Sequence, residues 1–267
     1  MAHLQLRGQV LVDDQSRPHA IDAVLFDKDG TLSISEPMLQ TLAEARVVHC
    51  LQLTGERHPE LLPELEGLLR RAYGLQNRQG VHPAGTTAVG SRQHNLISTA
   101  TVLSLMGIGW PEALEMAQCV FTATDSLHGV GSPQRPEATD GLHALVERLV
   151  AAGVRCAVIS NDEVAGINTF LASQDLSRHF SGLWSAEHTP CKPDPGAVHG
   201  LCSQLGIAVE RCALIGDANS DLRMARAAGV AVVLGYTAAW STPPPLDAAF
   251  AHLQHWQELQ VLPAAGR

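Results

Sequence analysis

The sequence predicts an α/β fold: a mostly parallel sheet with helices on both faces, interrupted once by an all-helical insert. Three observations carry this. From Pro136 onward, short apolar runs alternate with segments of helical periodicity, the pattern that builds parallel sheets through crossover connections. The apolar run Ile21–Phe26 stops abruptly at Asp27-Lys28-Asp29-Gly30-Thr31-Leu32, as a buried strand does when it delivers polar groups to its carboxyl end. Over residues 34–136, no segment reads as a strand.

The elements follow in order. Leu4, Leu6, Val10 and Val12 alternate with polar residues around Gly8 and read as an extra strand or hairpin arm ahead of the first core strand. Met38, Leu39, Leu42, Ala45, Val48 and Leu51 recur at helical spacing up to Gly55. Leu61, Leu65, Leu68, Leu69 and Ala72 predict a second helix, and a loop of small residues follows from Gly80 to Ser91. Leu96–Met106 and Pro111–Phe121 predict two more helices, with Pro111 suited to a first helical position. Beyond Pro136 come helix Leu142–Ala152 before Gly153, strand Arg155–Ser160 and helix Val164–Ser173. A short strand at Gly182–Ser185, helix Pro195–Leu205 before Gly206, strand Cys212–Gly216 and helix Leu222–Ala228 before Gly229 continue the alternation. Strand Val230–Leu234 and a last helix over Leu253–Leu259 complete it.

The chain's 267 residues suffice for one large domain or a core domain with an insert. With 45% hydrophobic and only 4% aromatic residues, Leu, Val and Ala must build the core. The net charge of −9 removes any general electrostatic case for nucleic-acid binding. It still permits a small phosphorylated ligand held by local cations or a metal. None of the six cysteines forms a Cys-x-x-Cys pair, so no zinc spacing is visible, and Cys156 and Cys212 sit in apolar runs as small core residues. The thirteen histidines are scattered, without ligand spacing. No signal-peptide pattern opens the sequence and no apolar run is long enough to span a bilayer. A reduced, cytoplasmic setting without membrane contact is the expectation.

Four segments carry candidate chemistry. Asp27 and Asp29 are too close to be ordinary surface charges: one suits a nucleophile or metal ligand, the other a proton carrier. Ser160-Asn161 ends a strand before a helix, where hydroxyl, amide and helix N-terminus make a phosphate cradle; Asn161 or Asp162 as a plain helix cap is the alternative. Lys192, before Pro193 and the pair Asp194-Pro195, is either a point charge for a phosphoryl group or a solvated loop lysine. Gly216-Asp217-Ala218-Asn219-Ser220-Asp221 follows a strand; either Asp217 and Asp27, from two neighbouring strand ends, hold a magnesium ion, or the segment is a turn with Asp and Asn in their usual places. Each segment has an unremarkable reading when taken singly. The four together place Asp, Ser/Asn, Lys and Asp at one end of one sheet, in order.

In that order, Asp27-x-Asp29-Gly30-Thr31, Ser160-Asn161, Lys192-Pro193 and Gly216-Asp217-x-x-x-Asp221 resemble the four motifs of the haloacid dehalogenase superfamily of phosphohydrolases. The layout is similar to its phosphoglycolate phosphatase-like group. The resemblance implies a Rossmann-like catalytic core over 1–33 and 137–267, with an inserted α-helical cap domain over 34–136 that closes on the substrate. It implies that Asp27 is the nucleophile, forming an aspartyl-phosphate, and that Asp29 is the acid and base, its backbone carbonyl also ligating the metal. Gly30 and Thr31 would shape the turn. Ser160, Asn161 and Lys192 would bind the phosphoryl group. Asp217 would bind Mg²⁺ directly, with Asp221 supporting the site from outside the ligand set.

The implied function is Mg²⁺-dependent hydrolysis of a small phosphate monoester, of the phosphoglycolate or sugar phosphate class. A sugar phosphomutase, which keeps both aspartates, and a non-catalytic member that binds a metabolite or partner are the alternatives. Asp29 argues against a dehalogenase, which needs no proton donor. Lys28 and Lys192 are the only lysines, which argues against a phosphonate-cleaving relative with a cap lysine. Lys28 either adds potential near the phosphate or points away, and pointing away is the expectation. In the loop 80–95, Arg92 and His94 are possible substrate contacts, although an ordinary solvated loop is the expectation there.

Overall fold

The computed structural model describes residues 2–75, 80–127 and 136–263. The chain forms two compact units: Met1–Ile34 with Glu137–Arg267, and Ser35–Pro136. In the first, β1 (Ala2–Leu6) and β2 (Gln9–Val10) make the hairpin arm. β1 buries Ala2, Leu4 and Leu6 and turns outward between them, the two-residue period of a half-covered strand. β3 (Ala23–Phe26) is buried throughout, as a central parallel strand must be. β4 (Ser33–Ile34) leads out of this unit.

The second unit is helical: α1 (Glu36–Gly55), α2 (Leu62–Tyr73), the single turn α3 (Thr86–Val89), α4 (Arg92–Leu105) and α5 (Trp110–Thr124). Its core includes Leu65, Leu69, Tyr73, Leu96, Leu103 and Phe121, all essentially solvent-free. Two details differ from expectation. The small-residue loop contains α3. In addition, α4 begins at Arg92 rather than Leu96 because Ser91 and His94 form a reciprocal capping box that stabilises an earlier start.

The chain returns through β5 (Glu137–Ala138), antiparallel to β4 with Ser33 opposite Ala138. This two-residue ribbon is too short to show any periodicity in sequence. The alternation then runs α6 (Leu142–Ala151), β6 (Arg155–Ile159), α7 (Val164–Ser173), β7 (Phe180–Trp184), α8 (Pro195–Leu205), β8 (Cys212–Gly216), α9 (Asn219–Ala228) and β9 (Val232–Tyr236). β10 (Ala251–Leu253) and β11 (Leu259–Pro263) close it.

The main sheet is parallel throughout, in the order β10-β9-β8-β3-β6-β7. β3 lies between β6 and β8, with Phe26 level with Val158 and Ile215. Alternate residues of β3 feed two cores. Val24 and Phe26 pack with Leu145, Ile167 and Phe170 on one face; Ala23 and Leu25 pack with Leu201, Met224 and Ala225 on the other. β11 pairs with β1 in a separate antiparallel sheet. Cys156 and Cys212 are buried free thiols. Among the described residues, no helix is long and apolar enough to cross a membrane.

Two expectations are corrected. The strand expected over Val230–Leu234 is Val232–Tyr236. Gly229 sits at φ +84° and Val230 donates its amide to Ala225 O at 3.0 Å, so these residues finish α9 before the strand starts. The helix expected over Leu253–Leu259 does not form. Leu253 ends β10, Trp256–Glu258 is one 3₁₀ turn and Leu259 opens β11. The three apolar residues recur every third position, which suits a 3₁₀ turn as well as an α-helix. Pairing of Ala251 with Leu234 and of Leu259 with Leu6 decides the outcome.

Candidate active site

Asp27 is the first residue past β3. Its amide donates to Ile215 O at 2.9 Å, prolonging the ladder with β8 and fixing the start of the turn. Asp217 follows β8 and Asp221 lies in the first turn of α9. Carboxylate oxygens of Asp27, Asp217 and Asp221 lie within 4.8 Å of one another, and all three residues are buried. Lys192 enters this group: its Nζ is 2.6 Å from Asp27 Oδ1, 2.9 Å from Asp221 Oδ1 and 3.4 Å from Ile159 O.

The electrostatics follow from that crowding. Burial pushes the Asp27 carboxyl up to about 6 against the pull of Lys192, with Asp221 and Asp29 adding repulsion. Asp217 rises well above the usual carboxylate range, first through burial and then through Asp27 and Asp221. Burial alone would lower Lys192, but Asp221 and Asp27 hold it above the ordinary lysine range. Three buried carboxylates against one ammonium leave an excess of negative charge, and hard oxygen donors in this number suit a divalent cation.

The turn after β3 is shaped around Asp217. Gly30 has φ +81°, and a Cβ there would collide with Asp217 Oδ2 and Trp240 Nε1. Thr31 Oγ1 donates to Asp217 Oδ1 at 3.3 Å and Trp240 Nε1 donates to Oδ2 at 2.6 Å. Thr139 Oγ1 donates to Thr31 O at 2.9 Å from behind, and itself accepts from Trp256 Nε1 at 2.8 Å. Trp240 and Thr139 went unnoticed in the sequence, since neither belongs to a spaced motif. The only sequence signals were an isolated aromatic and a lone threonine in loops.

Asp29 stands apart from the three-carboxylate group. Its Oδ1 accepts from Lys28 Nζ at 2.6 Å and from Ser33 Oγ at 3.3 Å. Lys28 does not point away. It is buried, and its Nζ also lies 3.0 Å from Asp162 Oδ2. An ammonium cannot be buried without anionic partners, and the two aspartates supply them. Burial would lower its pKa, but Asp162 and Asp29 carry it above the ordinary lysine range.

Ser160 is buried directly after β6; its amide donates to Trp184 O at 2.8 Å and its Oγ accepts from the Asp162 amide at 3.1 Å. Asn161 follows, half-buried. Neither Asn161 nor Asp162 caps α7, whose N-cap is Glu163 without a side-chain bond. Asp194, by contrast, does cap α8, accepting from the Gly196 amide at 2.7 Å.

In the helical unit, Arg92 forms a two-pronged pair with Asp125 at 2.9 and 2.8 Å, and His94 is committed to the Ser91 capping box. Both side chains are engaged in bonds within their own unit, at its solvated surface.

A family model for haloacid dehalogenase-like hydrolases matches residues 21–229. The chain belongs to the haloacid dehalogenase-like hydrolase family. It is 25% identical over 254 residues to a phosphoglycolate phosphatase of Yersinia pestis, covering 92% of this chain and 94% of that one. It is 26% identical over 219 residues to a phosphoglycolate phosphatase of Rhodospirillum rubrum, covering 79% and 78%. The fold is shared with a predicted phosphoglycolate phosphatase from Haemophilus somnus, at TM-score 0.55 and 16% identity over 87% of this chain and 93% of that chain. It is also shared with CbbY from Rhodobacter sphaeroides, solved with xylulose-(1,5)bisphosphate, at TM-score 0.53 and 18% identity over 88% and 95%. In this haloacid dehalogenase-like hydrolase, the Asp27 and Asp217 carboxylates follow adjacent parallel strands, and Lys192 and Asp221 join them in one buried group suited to a cation.

Proposed function

We propose that the protein is a Mg²⁺-dependent phosphatase that hydrolyses a small phosphate monoester, of the phosphoglycolate or sugar phosphate class, through an aspartyl-phosphate on Asp27. The observation that carries this reading is Asp27 itself: a buried carboxylate at a strand end, held by Lys192 at 2.6 Å and sharing one cluster with Asp217 and Asp221. The phosphoglycolate phosphatases named above favour this substrate class.

Lys192 holds Asp27 Oδ1, which orients the other oxygen for attack on phosphorus. The new Asp27–phosphorus bond forms as the ester P–O bond breaks, and Asp29 gives its proton to the departing alkoxide. Asp29 then takes a proton from water, which attacks the phosphorus and returns Asp27 to a carboxylate with release of inorganic phosphate. Ser160 and Asn161 would hold the phosphoryl oxygens in this sequence. Asp27, the Asp29 carbonyl and Asp217 would hold Mg²⁺, with Asp221 kept in place by Lys192. When bound, the ion supplies positive charge where phosphate meets carboxylate. Ser35–Pro136 would act as the cap that selects the ester.

Phosphate release from a panel of monoesters, with Mg²⁺ and with chelator, tests the reading. Wild type should release phosphate only with metal, and Asp27→Asn should lose at least about a thousandfold in kcat. Metal-independent release, or an active Asp27→Asn, contradicts it.

A further inference from the structure

Lys28 is buried at the centre of a second charge cluster. Its Nζ lies 2.6 Å from Asp29 Oδ1 and 3.0 Å from Asp162 Oδ2, with side-chain exposures of 3% for Lys28, 17% for Asp29 and 6% for Asp162. The carboxylate at the open end of this chain of contacts is therefore Asp29, while its anchor lies inside. Asp162 is itself fixed: its amide is bonded to Ser160 Oγ and its Oδ1 accepts from the Glu163 amide at 2.8 Å. A side chain on Gly166 would collide with its carboxylate, so α7 leaves room for Asp162 at that point. The Phe170 ring centroid lies 5.9 Å from Lys28 Nζ. Ser33 Oγ adds a second donor to the same Asp29 oxygen.

We infer that Lys28 is a positioning residue: anchored by Asp162 at the end of β6, it fixes Asp29 at the end of β3 so that its carboxyl meets the leaving-group oxygen. This rests on the phosphatase reading and assigns two residues to it that lie outside the metal and phosphoryl contacts. The physical case is one of freedom lost in advance. An aspartate on a turn has two side-chain torsions to explore, and the Lys28 contact to Oδ1 removes that search before the substrate arrives, leaving Oδ2 as the oxygen that carries the proton. A lysine serves here because its compact charge can donate to Asp29 Oδ1 while lying at ion-pair distance from Asp162 Oδ2.

The consequence is specific to proton delivery. An alkyl ester needs its leaving oxygen protonated, whereas p-nitrophenyl phosphate releases a phenolate that leaves without help. Lys28→Met and Asp162→Asn are compared with wild type and Asp29→Asn on p-nitrophenyl phosphate and on the best alkyl ester of the phosphate-release panel. The inference expects kcat on the alkyl ester to fall at least about tenfold further than on the aryl ester in both variants, in the same direction as Asp29→Asn. An equal loss on both esters would mean that Lys28 acts on the phosphoryl charge or the fold, and would overturn the inference. Unchanged kinetics would overturn it too. If Lys28→Met does not fold, Asp162→Asn, which keeps the acceptor for the Glu163 amide, is judged by the same split. A wild type inactive on both esters would reject the phosphatase reading and this inference with it; an active wild type without the split would reject this inference alone.

Discussion

Asp27 is caught between opposing demands. Burial raises its carboxyl to about 6, while the proposed roles of nucleophile and metal ligand require it ionised. A folded-state value above the unfolded one means that the native protein binds more protons than the unfolded chain. The contribution of this group is therefore fully present at low pH and is lost as the pH rises through about 6. A bound cation reverses this, because it replaces the proton and needs the charge. The metal-dependent rise in melting temperature should thus be larger at about pH 7.5 than at about pH 5, measured by thermal unfolding with Mg²⁺ and with chelator. A larger rise at the lower pH would contradict the assignment of Asp27 to the ion. Asp27, Ser160 and Asp217 stand out in the sequence because each directly follows an apolar strand, and parallel strands bring such ends to one edge; Lys192, in the loop before α8, stands out only by its place before Pro193. Trp240 and Asp162 are not legible there, since what they touch is set by loops that no periodicity describes.

At the scale of elements, local chemistry wrote most boundaries. Helices α7 and α8 and strand β8 span the predicted residues; for α8, Asp194, Pro195 and Gly206 mark both ends, and Gly216 ends β8. The failures lie where pairing partners decide. Leu253, Trp256 and Leu259 share a spacing that local preference alone cannot assign, and β9 and β1 claim the flanks as strands. That misread segment supports the site from beneath. Trp256 is fully buried, stacks on Tyr236 at 4.2 Å, meets the Phe26 ring at 6.0 Å and bonds Thr139, which braces the Thr31 carbonyl. Trp256→Ala should destabilise the protein by about 3–5 kcal/mol, read by denaturant unfolding, through the cavity it leaves in the core. A loss below about 1 kcal/mol would mean that the core collapses around the gap without cost.

At the scale of the whole molecule, charge distribution and topology converge. The chain carries only two lysines, and both are buried at the carboxyl edge of one sheet, each bridging two aspartates. Burying three carboxylates, Asp27, Asp217 and Asp221, against the single Lys192 ammonium costs stability unless a ligand compensates, and stability given up at one site is the ordinary mark of function. β3 sits centrally, so the loop after β8 brings Asp217 to Asp27 and the loop after β6 brings Asp162 to Lys28. The account turns on that residue becoming covalently phosphorylated. The most direct measurement is rapid acid quench during turnover of a ³²P-labelled ester, followed by peptide mapping. The account predicts label on the peptide containing Asp27, absent from Asp27→Asn and chased into inorganic phosphate on dilution into unlabelled ester. Steady phosphate release with no label on Asp27 at any quench time would contradict it.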